Sequence, residues 1–119
     1  MTKHELLKRT KTHALRVIKA VQALPRDDVS AVLGRQLLRA GTSVGANYRV
    51  ACRAKSTADF VNKLKIVEEE CDGSLYWMEL LIESGLIQLR RLELLMKEGD
   101  ELLSTFVAAI RTSKAARQS

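Results

Sequence analysis

Apolar positions recur along this chain at helical rather than strand spacing. Leu7, Thr10, Ala14, Val17, Val21 and Leu24 alternate steps of three and four, a heptad-like seam that predicts a helix over about residues 3–24. Pro25 ends it, and Asp27 or Asp28 stands where a cap belongs for a second helix over about 28–54. Ser56 or Thr57 caps a third over about 57–84, with Asp59 in its first turn and Ser84-Gly85 as its stop. A fourth, over about 89–112, places Leu92, Leu95, Leu102, Phe106, Ala109 and Ile110 on one face. Residues 113–119 (Ser-Lys-Ala-Ala-Arg-Gln-Ser) read as a frayed basic tail. Four amphipathic helices with short connections predict one all-α domain over 1–119, an up-down-up-down four-helix bundle.

Two helices carry more than a core stripe. Gly41 and Gly45 sit one turn apart inside the second, among Ala40, Thr42, Ser43 and Ala46. Each interior glycine costs about 1 kcal/mol relative to alanine, so close approach by another helix, or a bend, is the expected compensation. The third helix has a core face of Phe60, Val61, Leu64, Val67, Cys71, Leu75, Met78 and Ile82. Ile66, Gly73, Trp77 and Leu80 lie on its far side. A lone bundle buries one stripe per helix, so Ile66, Trp77 and Leu80 are expected at a subunit interface. The bland alternative is a broad helix packed by its own neighbours. Glu68, Asp72, Glu79 and Glu83 form an acidic stripe on the same helix, either solvated or paired with arginines of the second helix.

Composition narrows the class. Apolar content of 46% excludes a disordered chain, and a single Pro with six Gly argues against an all-β fold. No apolar run approaches the ~20 residues needed to span a bilayer, and no signal-peptide core opens the chain, so a cytoplasmic protein is expected. Cys52 and Cys71 have no metal-like spacing and suit a reducing compartment. The net charge of +6 is uneven: residues 1–24 carry +5, 25–54 carry +3, 55–88 carry −4 and 89–119 carry +2. A basic first half favours nucleic acid or an acidic protein surface, while the acidic third segment offers an internal competitor.

The four arginines of the second helix fall on one stripe. With Arg35 at 0°, Arg39 lies near +40°, Arg49 near −40° and Arg53 near 0°, over about 27 Å. Leu33, Leu37, Ala40, Val44, Tyr48 and Ala51 cluster opposite. A guanidinium row of that length fits a polyanion or an acidic partner, and equally a solvated face partly neutralised by nearby acids. Lys8 and Lys19, on the polar side of the first helix, are second-choice contributors.

The run Leu38-Arg39-Ala40-Gly41-Thr42-Ser43-Val44-Gly45-Ala46-Asn47-Tyr48-Arg49 is more specific than any periodicity. So are residues 56–70 (STADFVNKLKIVEEE) and 75–81 (LYWMELL). Together they resemble the bacterial four helix bundle protein family, also called the 23S ribosomal RNA intervening sequence protein family. Family patterns often carry a Glu near position 50, where Val50 stands here. The resemblance covers nearly the whole chain, most sharply at 38–83. It implies a left-handed four-helix bundle that tends to form a ring of five. It also implies kinship with accessory proteins of diversity-generating retroelements, which are basic, pentameric and work with nucleic acid. It implies no established activity.

Catalytic chemistry is not indicated. His4 and His13 are nine apart, which is no metal pair on one helix face, and His13 sits beside the first seam as a packed or half-exposed imidazole. Glu68, Glu69, Glu70 and Asp72 lack the Glu-x-x-His partners of a di-metal bundle. Ser43 has no evident base. With five aromatics, stacking platforms for single strands are not indicated. No metal and no cofactor are expected. The expected protein is a non-enzymatic homo-oligomeric scaffold, a pentamer by preference, binding RNA or DNA through phosphates. The competing readings are a protein–protein adaptor whose arginine stripe meets acidic surface and, more distantly, an enzyme with a site at subunit boundaries. The discriminating observation is whether Arg35, Arg39, Arg49 and Arg53 face solvent or are covered by acids of the third helix.

Overall fold

The computed structural model describes residues 1–118, which form four helices: α1 (Lys3–Gln22), α2 (Asp28–Ala51), α3 (Thr57–Glu83) and α4 (Leu89–Gln118). Side-chain caps set the first three starts. The Thr2 hydroxyl accepts the Glu5 N–H at 3.1 Å, the Asp27 carboxylate that of Ser30 at 2.8 Å, and the Ser56 hydroxyl that of Asp59 at 3.1 Å. Gly85 follows α3 at φ 81°, the left-handed stop that a side chain would resist.

The molecule measures 51 × 20 × 20 Å. A helix of α3's length rises about 40 Å, so the helices must lie along the long axis. Each connection is five residues long and can only reverse the chain, which gives the up-down-up-down order. Helix α1 packs on α2, α2 on α3 and α3 on α4, and α1 meets α4 more sparingly to close the bundle. Ion pairs mark the antiparallel sense of that seam: Arg9 reaches Glu101 at 2.9 Å, and Arg16, further along α1, reaches back to Glu98 at 3.3 Å.

The core is two apolar clusters with polar side chains buried between them. One gathers Val44, Tyr48, Leu64, Val67, Leu102 and Phe106; the other gathers Val17, Leu37, Met78, Leu81, Leu92 and Leu95. Near their junction lie Thr10, His13 and Ser74. Thr10 and Ser74 satisfy themselves by donating to the carbonyls of Leu6 and Cys71, at 2.8 and 2.7 Å. His13 is fully buried, deeper than its place beside the seam suggests, because α1 turns Leu6, Thr10, His13 and Val17 inward and leaves Leu7, Ala14 and Val21 half-buried. Its Nδ1 lies 3.1 Å from Glu98 Oε1 and, facing a carboxylate, carries the donated proton. Nε2 has no partner among the described residues.

Helix α1 crosses α2 at its glycines. A Cβ on Gly41 would stand 2.8 and 2.9 Å from the two γ-methyls of Val17, and one on Gly45 would stand 3.3 Å from the Thr10 carbonyl oxygen.

Three boundaries differ from the sequence expectation. Helix α1 stops at Gln22 rather than residue 24. Helix α2 stops at Ala51 rather than residue 54, because the chain tightens there into i→i+3 bonds, Arg53 N–H to Val50 O and Ala54 N–H to Ala51 O, both 3.0 Å. The expected frayed tail at 113–119 is corrected up to residue 118: α4 runs on to Gln118, and Ser119 lies outside the described residues. Residues 113–118 hold one Ser followed by Ala, Lys, Arg and Gln, with no Gly or Pro, and basic residues suit a helix C-terminus, so the helix propagates.

Candidate nucleic-acid interface

The four arginines of the predicted row are all exposed, but their neighbours separate them. Arg39 turns toward α3, where Glu70 accepts from it at 3.0 Å. Arg35 and Arg49 lean the other way, toward α1. Arg35 lines an open groove of about 520 Å³ with Arg26, Asp27 and Asp28. Arg49 lines a second groove of about 480 Å³ with Lys11, over a floor of Thr10, Ala14 and Gly45. Arg53 stands past the end of α2 in the turn. Arg35, Arg49, Arg53 and Lys11 make no ion pair among the described residues, while Arg39 does. The α1–α2 flank is therefore a strip of available cations, and the α2–α3 flank is partly neutralised.

The acidic stripe of α3 plays no part in that neutralisation. Asp72, Glu79 and Glu83 are exposed and Glu68 is half-buried; the carboxylate that reaches α2 is Glu70. Glu70 lies on the same helical face as Ile66, Gly73 and Trp77, so this far-side stripe flanks the α2–α3 seam. The Arg39–Glu70 pair also sets the register of the two antiparallel helices. It places Val32 level with Trp77 and Val29 level with Leu80. Val29, Val32, Ile66 and Tyr76 are exposed, whereas Leu80 is half-buried and Trp77 is half-buried against the second core cluster. Tyr76 meets Trp77 edge-on, with ring centroids 5.2 Å apart.

Lys8 and Lys19 are exposed on α1 and make no ion pair among the described residues. Lys19 belongs to a different assembly from the arginine row. With Arg16 of α1 and Arg90 and Arg91 of α4 it lines a third groove of about 420 Å³ between α1 and α4. Periodicity did not single out Arg90 and Arg91. The available signal was local: a helix start that places two arginines in the first turn, where a carboxylate is favoured.

Little else offers chemistry. No group of three or more His, Cys, Asp or Glu side chains that could hold a metal occurs among the described residues. Burial pushes the Cys71 thiol up to about 12, so it stays protonated, and its Sγ donates weakly to the Gly99 carbonyl at 3.5 Å. Burial also lowers the His13 pKa, against the opposing pull of Glu98. Among the described residues no helix is long and apolar enough to cross a membrane.

These features define an all-α four-helix bundle whose cations gather along the grooves that flank α1. The chain belongs to the 23S rRNA-intervening sequence protein family, which matches residues 2–108. Among solved structures it is similar to a protein of unknown function from the S23 ribosomal protein family of Bacteroides thetaiotaomicron. The two are 32% identical with a TM-score of 0.86, and the match covers 93% of this chain and 99% of that one. No curated protein matches the chain significantly.

Proposed function

We propose that this protein is a non-enzymatic, cytoplasmic, homo-oligomeric scaffold that binds nucleic acid through phosphate contacts. The observation that carries this reading is the strip of exposed, unpaired cations on the α1–α2 flank: Lys11, Arg35, Arg49 and Arg53. Unpaired guanidiniums keep their donors for phosphate oxygens and have no internal carboxylate to displace. A net charge of +6 draws a polyanion to that flank. Self-association rests on a second surface, where Val29, Val32, Ile66, Trp77 and Leu80 bring apolar groups together beside the α2–α3 seam. Family kinship favours a ring of five, which would repeat the cationic flank around an axis.

Binding then depends on phosphates, is largely indifferent to base sequence and weakens steeply with salt. Each engaged cation adds about 0.7–0.9 to the slope of log affinity against log salt. The test is RNA and DNA binding by the purified protein across a salt series, with Arg35→Glu/Arg49→Glu as the variant. Uniform weakening across sequences with a shallower slope is expected. A wild-type protein that binds neither RNA nor DNA at low salt sinks the reading. The Arg39–Glu70 pair favours the second reading, a protein–protein adaptor, because it is a direct instance of this stripe meeting a carboxylate.

A further inference from the structure

Nothing in the reading above uses the α1–α4 seam, yet a second cluster of cations lies there. Arg16 and Lys19 stand on one wall and Arg90 and Arg91 on the other, and no acidic residue lines the groove between them. Arg16 is held at the rim by Glu98 at 3.3 Å; Lys19, Arg90 and Arg91 make no ion pair among the described residues. The floor is apolar, built by Ala20, Ala23, Ile87 and Leu95. Leu94 beside it is 68% exposed, the highest exposure of any large apolar side chain among the described residues. The cleft continues over the end of the bundle, where Arg90, Arg91, Ala23 and Ile87 also line an adjoining space of about 300 Å³.

The start of α4 points the same way. Helices α1, α2 and α3 each carry an acid in the first turn, Glu5, Asp28 and Asp59, whereas α4 carries none and begins with two arginines. Its dipole adds positive potential where Arg90 and Arg91 already repel each other. A bound anion would relieve that conflict. Three of the four cations are arginines, whose planar forks match phosphate oxygens.

We propose that this groove takes an unpaired segment of nucleic acid, with phosphates on Lys19, Arg90 and Arg91 and exposed base and sugar faces against Ile87, Leu94 and Leu95. The inference rests on the nucleic-acid reading and adds strand preference to it. A duplex hides its base faces in the stack and cannot use an apolar floor; a single strand can. The open, elongated cleft suits a chain running through it rather than an enclosed small molecule. No aromatic ring lines it, so base contact here is apolar packing rather than stacking, and sequence preference is absent.

The experiment is anisotropy titration of a labelled single-stranded oligonucleotide and its duplex against wild type, Arg90→Glu/Arg91→Glu, Leu94→Ser and Arg35→Glu/Arg49→Glu, each over a salt series. The first variant places acids in a helix first turn, which favours folding, and circular dichroism verifies it. It is expected to weaken single-strand binding at least tenfold, to lower the salt slope by about 1.4 (roughly 0.7 for each arginine), and to leave duplex binding within twofold. Leu94→Ser is expected to weaken single-strand binding about threefold at unchanged slope, the loss of one modest apolar contact. Wild-type strength in both groove variants, or equal losses for strand and duplex, overturns the groove while leaving the α1–α2 flank intact. A wild-type protein that binds neither strand nor duplex overturns the parent reading and this one together.

Discussion

The crossing of α1 over Gly41 permits a sharp test of how the bundle is held. Replacing Gly41 by Ala adds one methyl group, and two effects oppose each other. Alanine in a helix interior is favoured over glycine by about 1 kcal/mol. The added Cβ, however, lands 2.8 and 2.9 Å from the two γ-methyls of Val17, well inside the roughly 3.5–4.0 Å at which carbon atoms rest. Val17 is fully buried and β-branched, so it has one favoured rotamer in a helix and nowhere to swing. The helices must separate locally by about 0.7 Å, which forfeits a quarter to a half of the dispersion energy of each contact along the crossing. Overpacking of this kind costs about 1–3 kcal/mol, so the net expectation is a loss of up to about 2 kcal/mol, or roughly 8 °C in Tm. Gly73 supplies the control: it also lies inside a helix, but a Cβ there meets nothing within 4 Å. Gly73→Ala should therefore stabilise by about 0.5–1 kcal/mol. Urea melts followed by circular dichroism at one fixed protein concentration measure both, since association would otherwise shift the midpoint. Removing the clashing methyls should show coupling: Gly41→Ala with Val17→Ala should be less damaging than the sum of the singles by about 1–2 kcal/mol. If Gly41→Ala proves as stabilising as Gly73→Ala, the close crossing does not exist in solution.

The remaining expectations concern association and acid. Ile66→Glu and Trp77→Glu should each release smaller species in light scattering, Ile66 being the cleaner probe because it is exposed while Trp77 also packs on the core; wild-type mass in both removes this flank from the interface. Because burial lowers the His13 pKa below 6.5, the unfolded chain binds the extra proton, so stability is fully present above about pH 6.5 and is lost as pH falls through the window between that value and the lowered one. Urea midpoints at pH 7.5 and 5.5 should differ for wild type and differ less for His13→Gln; equal pH dependence in the two would clear His13 of the effect.

The helices were legible because three kinds of signal agreed. Apolar steps of three and four marked the faces, Asp27 or Asp28 and Ser56 or Thr57 marked the starts, where the caps prove to be Asp27 and Ser56, and Gly85 marked a stop. The fine rotation of α1 was not legible. Its seam as read ran through Leu7 and Ala14, and the observed one runs through Leu6 and His13. A polar imidazole would not be assigned to the core without Glu98, which is 85 positions away in sequence and faces Nδ1 across the α1–α4 seam. The end of α4 was misplaced for the opposite reason: a polar segment was read as a tail, although residues 114–118 are good helix formers with no breaker among them.

The arginine row marks the same boundary at the level of the site. Periodicity fixes angles around an isolated helix, and Arg35, Arg39 and Arg49 do share about 80° of α2. Function depends on what occupies the neighbouring directions. At +40° Arg39 finds α3 and Glu70, whereas at 0° and −40° Arg35 and Arg49 find the grooves beside α1, which carries +5 of net charge over residues 1–24. The helix that dominates the charge of the chain is thus the one flanked by open grooves on both sides, with Arg35, Lys11 and Arg49 along one and Arg16, Lys19, Arg90 and Arg91 along the other. Cations of both neighbours line these grooves; α4 answers only Arg9 and Arg16 with Glu101 and Glu98, and the acids of α3 lie across the bundle. Lys11, Lys19, Arg35, Arg49, Arg90 and Arg91 are left without an ion pair among the described residues. A polyanion crossing α1 from one groove to the other would restore the balance, and the strand and duplex titrations ask whether one does.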